Sequence, residues 1–241
     1  MGTVNFLNHL VTLSIVIPSF NEEGNVVAVT EEVIDWSRRS RDRRVEVILV
    51  NDGSTDNSIS EMENLTRKFP DVKLISHATN KGLGAAIYSG MTAATGDWIT
   101  WLPADGQIAA ENLDRLLRVA DDCAICVLLR PDRQRSLPRR ILTAAFHLVV
   151  RAAVSNRYER FSGVFLVRVD RVVSLTLVAN TAVQNLAVVE HCVLNGARVV
   201  QVEGTLRPRT TGVSKVANIK TSIQTFLETV TLKGKITRLD R

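Results

Sequence analysis

The chain has 241 residues, 45% of them hydrophobic and 23% charged, with a formal net charge of +5. That describes an ordinary globule of one domain, or one plus an appendage, with room for a large core. No membrane span is expected, because the longest charge-free run, residues 172–189, holds Ser174, Thr176, Asn180, Thr181, Gln184 and Asn185.

In chain order, strand-like runs fall at residues 13–17, 45–50, 72–76, 98–102, 124–129, 164–169 and 199–202. Helical patterns fall between them, at residues 22–38, 58–69, 84–94, 111–120, 138–154 and 181–195. This alternation predicts an α/β fold with a mostly parallel central sheet flanked by helices. Asn5, Asn8 and His9 interrupt the N-terminus, so no signal peptide is expected. Three cysteines suit a reducing compartment. Cys123 and Cys126 form a C-x-x-C, but Cys126 lies in an apolar run and no second pair exists, so a buried structural role is favoured over metal or redox work. Residues 130–140 hold five arginines and two prolines and read as a basic loop feeding a helix. Beyond Gly204 the chain turns basic and polar, and a last helix is expected over residues 216–232.

Ligands of open α/β sheets bind outside the carboxyl ends of the strands, and the polar clusters of this chain follow its strands. The first strand runs into Pro18-Ser19-Phe20-Asn21-Glu22-Glu23, where Phe20 offers an apolar wall and Asn21 with the acids suits a helix start. The second runs into Asn51-Asp52-Gly53-Ser54-Thr55-Asp56; Asp52 is placed to accept hydrogen bonds from a base or ribose, and Asp56 to cap a helix. After the third comes Asn80-Lys81-Gly82-Leu83-Gly84, whose glycines allow close backbone approach and whose lysine suits a phosphate; the Gly-Lys-Ser/Thr ending of a P-loop is missing. After the fourth comes Pro103-Ala104-Asp105-Gly106-Gln107. If the chain stays extended there, Asp105 and Gln107 share a face and offer an anionic and a neutral oxygen to a hard cation, Mg²⁺ or Mn²⁺. The plainer readings are a capped helix for the first cluster and an Asp-Gly turn for the last.

These four blocks, in this order, resemble the family 2 glycosyltransferases of the GT-A fold, and the resemblance runs from about Leu13 to Lys215. It implies a nucleotide-diphosphate-sugar donor. Pro18, Phe20, Asn21, Glu22, Asp52, Lys81, Gly82 and Ala104 would line the nucleotide site, and Asp105 with Gln107 would hold the metal. The chain looks most like the branch that moves a sugar onto a polyprenyl phosphate, the dolichol-phosphate mannosyltransferase type. That branch's Arg-x-x-Gly-x-Ser-Lys stands intact at Arg209–Lys215. By resemblance, Arg209 and Lys215 would grip phosphates in catalysis beside Asp105, with Arg130, Arg133, Glu159, Ser162 and Ser214 on the acceptor side. The expected organisation is a GT-A domain over residues 1–205, with residues 206–241 as its basic loop and C-terminal helix.

The departures carry information too. Pro103 stands where the branch has its first metal-site acid, and Glu159 where it has an aspartate. Relatives that attack with a sugar hydroxyl carry a Glu-Asp pair near Gln184-Asn185; amides take no proton, whereas a phosphate acceptor needs no base. Glu190 and His191 lie close by, and a helix-surface or core role is favoured for them over that of a base. A lipid acceptor implies peripheral contact with an anionic membrane, for which the arginines of 130–140 and the apolar residues 141–150 are candidates, as against a buried helix beside a solvated loop. The expected location is the cytoplasmic face of a membrane, with an integral-membrane partner possible. No nucleic-acid partner is expected, because the arginines are not interleaved with aromatics and no groove-reading module is evident. The alternatives are an enzyme acting on a glycan hydroxyl, or a nucleotide-sugar-binding protein without catalysis.

Overall fold

The computed structural model describes residues 11–39, 42–120, 123–129, 161–208 and 219–239. The strands are β1 (Val11–Ser19), β2 (Arg43–Asn51), β3 (Val72–Ser76), β4 (Trp98–Trp101), β5 (Ile125–Leu129), β6 (Phe161–Arg168) and β7 (Val199–Glu203). The helices are α1 (Asn25–Arg38), α2 (Ser58–Lys68), α3 (Leu83–Thr92), α4 (Asn112–Leu117), α5 (Val183–Leu194) and α6 (Ile219–Leu239). The seven strands form one sheet in the order β3-β2-β1-β4-β6-β5-β7. Only β6 runs against its neighbours, pairing antiparallel with β4 and β5; the other pairings are parallel. This is the α/β architecture expected, and its mostly parallel character follows from helices returning the chain to the same edge.

Central strands buried on both faces read as continuous apolar runs. Ile15, Val16 and Ile17 of β1 and Val47, Ile48, Leu49 and Val50 of β2 are fully buried, each side chain contributing about 1.5–3 kcal/mol on transfer from water. The β1 ladder runs on through Pro18↔Val50 to Ser19↔Asn51, two residues past the expected end. Proline is tolerated there because alternate residues face alternate neighbours. The residues flanking Pro18 bond toward β2, while β4, on its own side, has already left the ladder at Trp101. Helix α1 starts three residues later than expected, at Asn25, after Gly24 at φ 77°.

Two parts of the fold were not foreseen. β6 begins at Phe161, three residues before its apolar run, held by pairing with Leu129. α6 continues seven residues past the expected end, because Leu232 and Ile236 bury fully in a small second core with Ala179, Val183, Leu186 and Ala187. The expected helix at residues 138–154, the basic loop before it and residues 216–218 lie outside the described residues. Cys123 and Cys126 are buried with their sulfurs side by side, at the edge of the sheet away from the polar clusters. No described helix is long and apolar enough to cross a membrane.

Candidate active site

The carboxyl ends of β1, β2, β3 and β4 lie on one edge of the sheet, and the four polar clusters meet there. The first two are stitched together. Asn21, at φ 52°, donates its N–H to Ser54 Oγ at 3.0 Å and accepts from Thr55 N–H at 2.7 Å. The Glu22 N–H donates to Ser58 Oγ at 2.9 Å, and its carboxylate accepts from Asn25 Nδ2 at 2.9 Å. Asp56 accepts from the N–H of Ser58, at the start of α2, and from the N–H of Glu23. Burial alone would raise the Asp56 carboxyl; the hydrogen bonds from Ser58 and Glu23 outweigh it and hold the group below its ordinary value.

Asp52 is the joint between β2 and the glycine loop. It is 3% exposed. Its Oδ1 accepts from the Lys81 N–H at 2.9 Å and pairs with His77 Nδ1 at 2.7 Å; its Oδ2 accepts from the Gly82 N–H at 2.8 Å. Among the described residues one acceptor position on Oδ2 remains open. His77 Nε2 lies 2.9 Å from Ser89 Oγ in α3, and because a carboxylate only accepts, Nδ1 is the nitrogen that donates to Asp52. His77 was missed in the sequence. The available signal was its position: it follows β3 directly, at the same edge as Asp52, and its N–H donates to Asn51 O at 2.9 Å.

The glycine loop is also held from its other side. Gly82, at φ 97°, has no room for a side chain, since a Cβ would stand 2.4 Å from Asn180 O. The Gly84 N–H donates to that same oxygen at 2.8 Å. The N–H groups of Asn180 and Thr181 in turn donate to the Glu228 carboxylate of α6, both at 3.2 Å. Lys81 itself is exposed.

After β4 the chain does not stay extended. It turns at Ala104–Gly106, with Gly106 at φ 69°, and the Gln107 N–H donates to Asp105 Oδ1 at 3.1 Å. The shared strand face expected for Asp105 and Gln107 is therefore replaced by an Asx turn that brings them together. Both are partly exposed, whereas the Ala104 side chain is buried. The Gln107 carbonyl accepts from the Arg207 N–H at 2.9 Å, and Ile108 bridges Leu206. Arg207 also pairs with Glu32 at 2.9 Å and Glu111 at 3.2 Å. The chain thus arrives beside the Asp105 turn just before Arg209.

Arg209, Ser214, Lys215, Arg130, Arg133 and Glu159 lie outside the described residues, and Ser162 is described only as backbone in β6. Pro18, Phe20, Asn21, Glu22, Asp52, Lys81, Gly82, Ala104, Asp105 and Gln107 all lie on loops or strand ends of the one edge. Among the described residues no group of three or more His, Cys, Asp or Glu side chains could hold a metal. Asp105 and Gln107 are an oxygen set of the kind a hard cation takes, though short of the six ligands it wants. Glu190 and His191 are buried in α5, His191 against Ser174 Oγ at 3.2 Å.

Known proteins of related sequence and shape bear on this edge. A dolichyl-phosphate beta-glucosyltransferase (ALG5A) of Trichomonas vaginalis is 32% identical over 110 residues, 44% of this chain and 34% of that protein. An undecaprenyl-phosphate 4-deoxy-4-formamido-L-arabinose transferase of Yersinia pestis (strain Pestoides F) is 33% identical over 147 residues, 60% of this chain and 44% of that protein. The chain thus spans less than half the length of these curated relatives. Among solved structures, glucosyl-3-phosphoglycerate synthase from Mycobacterium tuberculosis, in complex with Mn²⁺ and UDP-glucose, superposes with a TM-score of 0.69 at 16% identity, over 93% of this chain and 79% of that one. S. aureus TarS does so with a TM-score of 0.56 at 16% identity, over 80% and 60%. The fold is therefore the GT-A type expected. Residues 14–171, which contain all four clusters, match Glycosyl transferase family 2, and the chain belongs to that family.

Proposed function

We propose that this chain transfers a hexose from a nucleotide-diphosphate sugar to a polyprenyl phosphate, with inversion and with the help of a divalent cation. The observation that carries this reading is the meeting of the Glu22 block, the Asp52-anchored Lys81–Gly82 loop and the Asp105 turn on one sheet edge. Such an edge suits a nucleoside at β1 and β2 and phosphates at the start of α3. Pro18, Phe20, Asn21 and Glu22 would wall the nucleoside, and the open position on Asp52 Oδ2 would accept from the base or ribose. Lys81 would meet a phosphate.

Asp105 and Gln107 would hold Mg²⁺ or Mn²⁺ together with the donor diphosphate, and a cation bound there would neutralise the leaving group. With Pro103 supplying no ligand atom, the nucleotide brings much of the negative charge. Arg209 and Lys215 would add charge stabilisation. The acceptor phosphate oxygen attacks the anomeric carbon as the bond to the diphosphate breaks, and the diphosphate leaves with the electron pair; one displacement inverts the centre. The acceptor is already anionic, so no base is required. Arg130, Arg133, Glu159, Ser162 and Ser214 would lie on the acceptor side. The names of the two sequence relatives, which act on dolichyl and undecaprenyl phosphates, support this acceptor.

Such an acceptor places the work at a membrane surface, and we assign the chain a peripheral contact with the cytoplasmic face, with or without an integral-membrane partner. Ile223, Phe226, Leu227 and Val230 of α6 are about half exposed and recur at helical spacing, an amphipathic stripe that supports such contact. A second reading, nucleotide-sugar binding without transfer, is favoured by one observation, the single carboxylate of the Asp105 turn. Incubating the full chain with Mn²⁺, radiolabelled UDP- or GDP-hexoses and a short-chain polyprenyl phosphate separates them. Labelled lipid is expected; nucleotide binding with no labelled product would establish the binder, and label on an added oligosaccharide would move the acceptor to a glycan.

A further inference from the structure

We propose that Asn185 reads the transferred sugar, its buried amide hydrogen-bonding hydroxyl groups of the hexose that the donor carries. The inference rests on the donor class proposed above. Asn185 lies in the first turn of α5, is 1% exposed, and has no hydrogen-bond partner among the described residues at either Oδ1 or Nδ2. A buried amide open at both ends is costly, and native folds rarely leave one so. The preceding residue shows how this fold treats an amide with a structural task. Gln184 Oε1 accepts from the N–H groups of Val178 and Ala179 at 3.0 and 3.1 Å, and its Nε2 donates to Thr176 O at 3.4 Å.

The surroundings of Asn185 place it at the site. A Cβ built on Gly163, which sits at φ 96°, would stand at ordinary contact distance, 3.5 Å, from both Asn185 Nδ2 and Trp101 Cζ2, so the amide borders the backbone of Gly163 beside Trp101. Trp101 Nε1 holds that backbone by donating to Gly163 O at 2.8 Å. Because β6 is antiparallel to β4, its Phe161–Gly163 end shares the edge on which β4 runs into the Asp105 turn. The segment that carries Asn185 starts at Asn180, whose carbonyl holds the Gly84 N–H of the glycine loop. Residues 180–185 therefore run from the loop assigned to phosphate to the β6 end beside Trp101. A group attached to the far phosphate of a nucleotide bound at β1–β3 falls along that span.

The chemistry of the two open atoms selects the ligand. An amide offers a donor pair at Nδ2 and an acceptor at Oδ1. A phosphate dianion only accepts and would leave Oδ1 open; a cation would take Oδ1 and leave the NH₂ open. Neighbouring hydroxyls of a hexose both donate and accept, and satisfy both ends.

The test compares each nucleotide sugar with its own free nucleotide, using UDP-glucose against UDP and GDP-mannose against GDP, by calorimetry with Mn²⁺ on the full chain. In the pair that binds, Asn185→Ala is expected to weaken the nucleotide sugar about tenfold and leave the free nucleotide unchanged. Asn185→Leu should match or exceed wild type in melting temperature without ligand, because the amide it replaces bonds to none of the described residues. Equal weakening of sugar nucleotide and nucleotide, or of neither, overturns the assignment and leaves the donor reading standing. A lower melting temperature for both variants also overturns it, by showing a structural amide. If no nucleotide binds the wild-type chain, the donor reading itself fails and this assignment falls with it.

Discussion

At Asp52, two loop N–H groups and an imidazole converge on a carboxylate that is 3% exposed. Removing the carboxylate strands all three, and each stranded buried group costs about 1–3 kcal/mol before water or relaxation offsets it. Asp52→Ala is therefore expected to lower stability by about 2–4 kcal/mol and to weaken nucleotide binding at least tenfold, read by thermal melting and calorimetry. Asp52→Asn, of equal size, should fall between, because its NH₂ faces a donor where an oxygen accepted. If Asp52→Ala melts like wild type and binds nucleotide equally well, the carboxylate does not join β2 to the glycine loop. The carboxylate was legible in the sequence because it follows an apolar run directly. His77 was not, because its partners Asp52 and Ser89 are 25 and 12 residues away and only the pairing of β2 with β3 brings them together. Asp105 and Gln107 were legible as a polar cluster following β4, while the turn that joins them depends on Gly106 leaving the extended conformation.

Among the elements, α6 has two faces with different tasks. Leu232 and Ile236 seal the small core against α5, and Glu228 holds the 180–181 turn that seats the glycine loop. The opposite face presents Ile223, Phe226, Leu227 and Val230 to solvent. Glu228 is the only acid of the helix, against Lys220, Lys233, Lys235 and Arg238, so the charge balance suits an anionic lipid surface. Phe226→Ser together with Leu227→Ser is expected to cut flotation with phosphatidylglycerol-containing vesicles at least fivefold while leaving the melting temperature within about 2 °C, since exposed side chains add little to stability. Flotation unchanged from wild type would remove α6 as the contact. Glu228→Gln tests the inner face. Loss of the charge weakens the turn's hydrogen bonds by about 1 kcal/mol, and nucleotide affinity should drop several-fold with vesicle binding intact. The sequence placed this helix but ended it at 232, short of its end at Leu239. What carries the helix onward is the burial of Ile236 against Val183, Leu186 and Ala187 of α5, far away in the sequence, a contact no local pattern encodes.

For the whole molecule, alternation of apolar runs and helices was enough to predict a mostly parallel sheet, since local burial and periodicity determine both. Strand order and the reversal of β6 were not legible, because they depend on which edges pair across long separations, as Thr100 with Leu166. One carboxylate spans several of those separations at the edge opposite the site. Glu46 of β2 accepts from Ser14 Oγ of β1, from Thr95 N–H and Oγ1 before β4, and from Lys73 Nζ of β3 at 2.7 Å. Burial alone would raise its carboxyl, but the bonds from Lys73, Ser14 and Thr95 outweigh that and bring it from 4.5 down to about 2. A depressed folded value means that the unfolded chain binds the proton more readily. The stabilisation is therefore fully present above about 4.5 and is lost as pH falls from there toward about 2. Lys73 is half exposed, so solvent screens part of the effect. Glu46→Gln should accordingly cost about 1–2 kcal/mol at pH 7 and little at pH 2. Urea melts of wild type and variant across that range should converge as the pH falls. Because the site lies at the other edge, nucleotide affinity at pH 7 should be the same in both proteins. A stability difference that stays constant from pH 7 to pH 2 would mean that Glu46 acts through packing rather than charge.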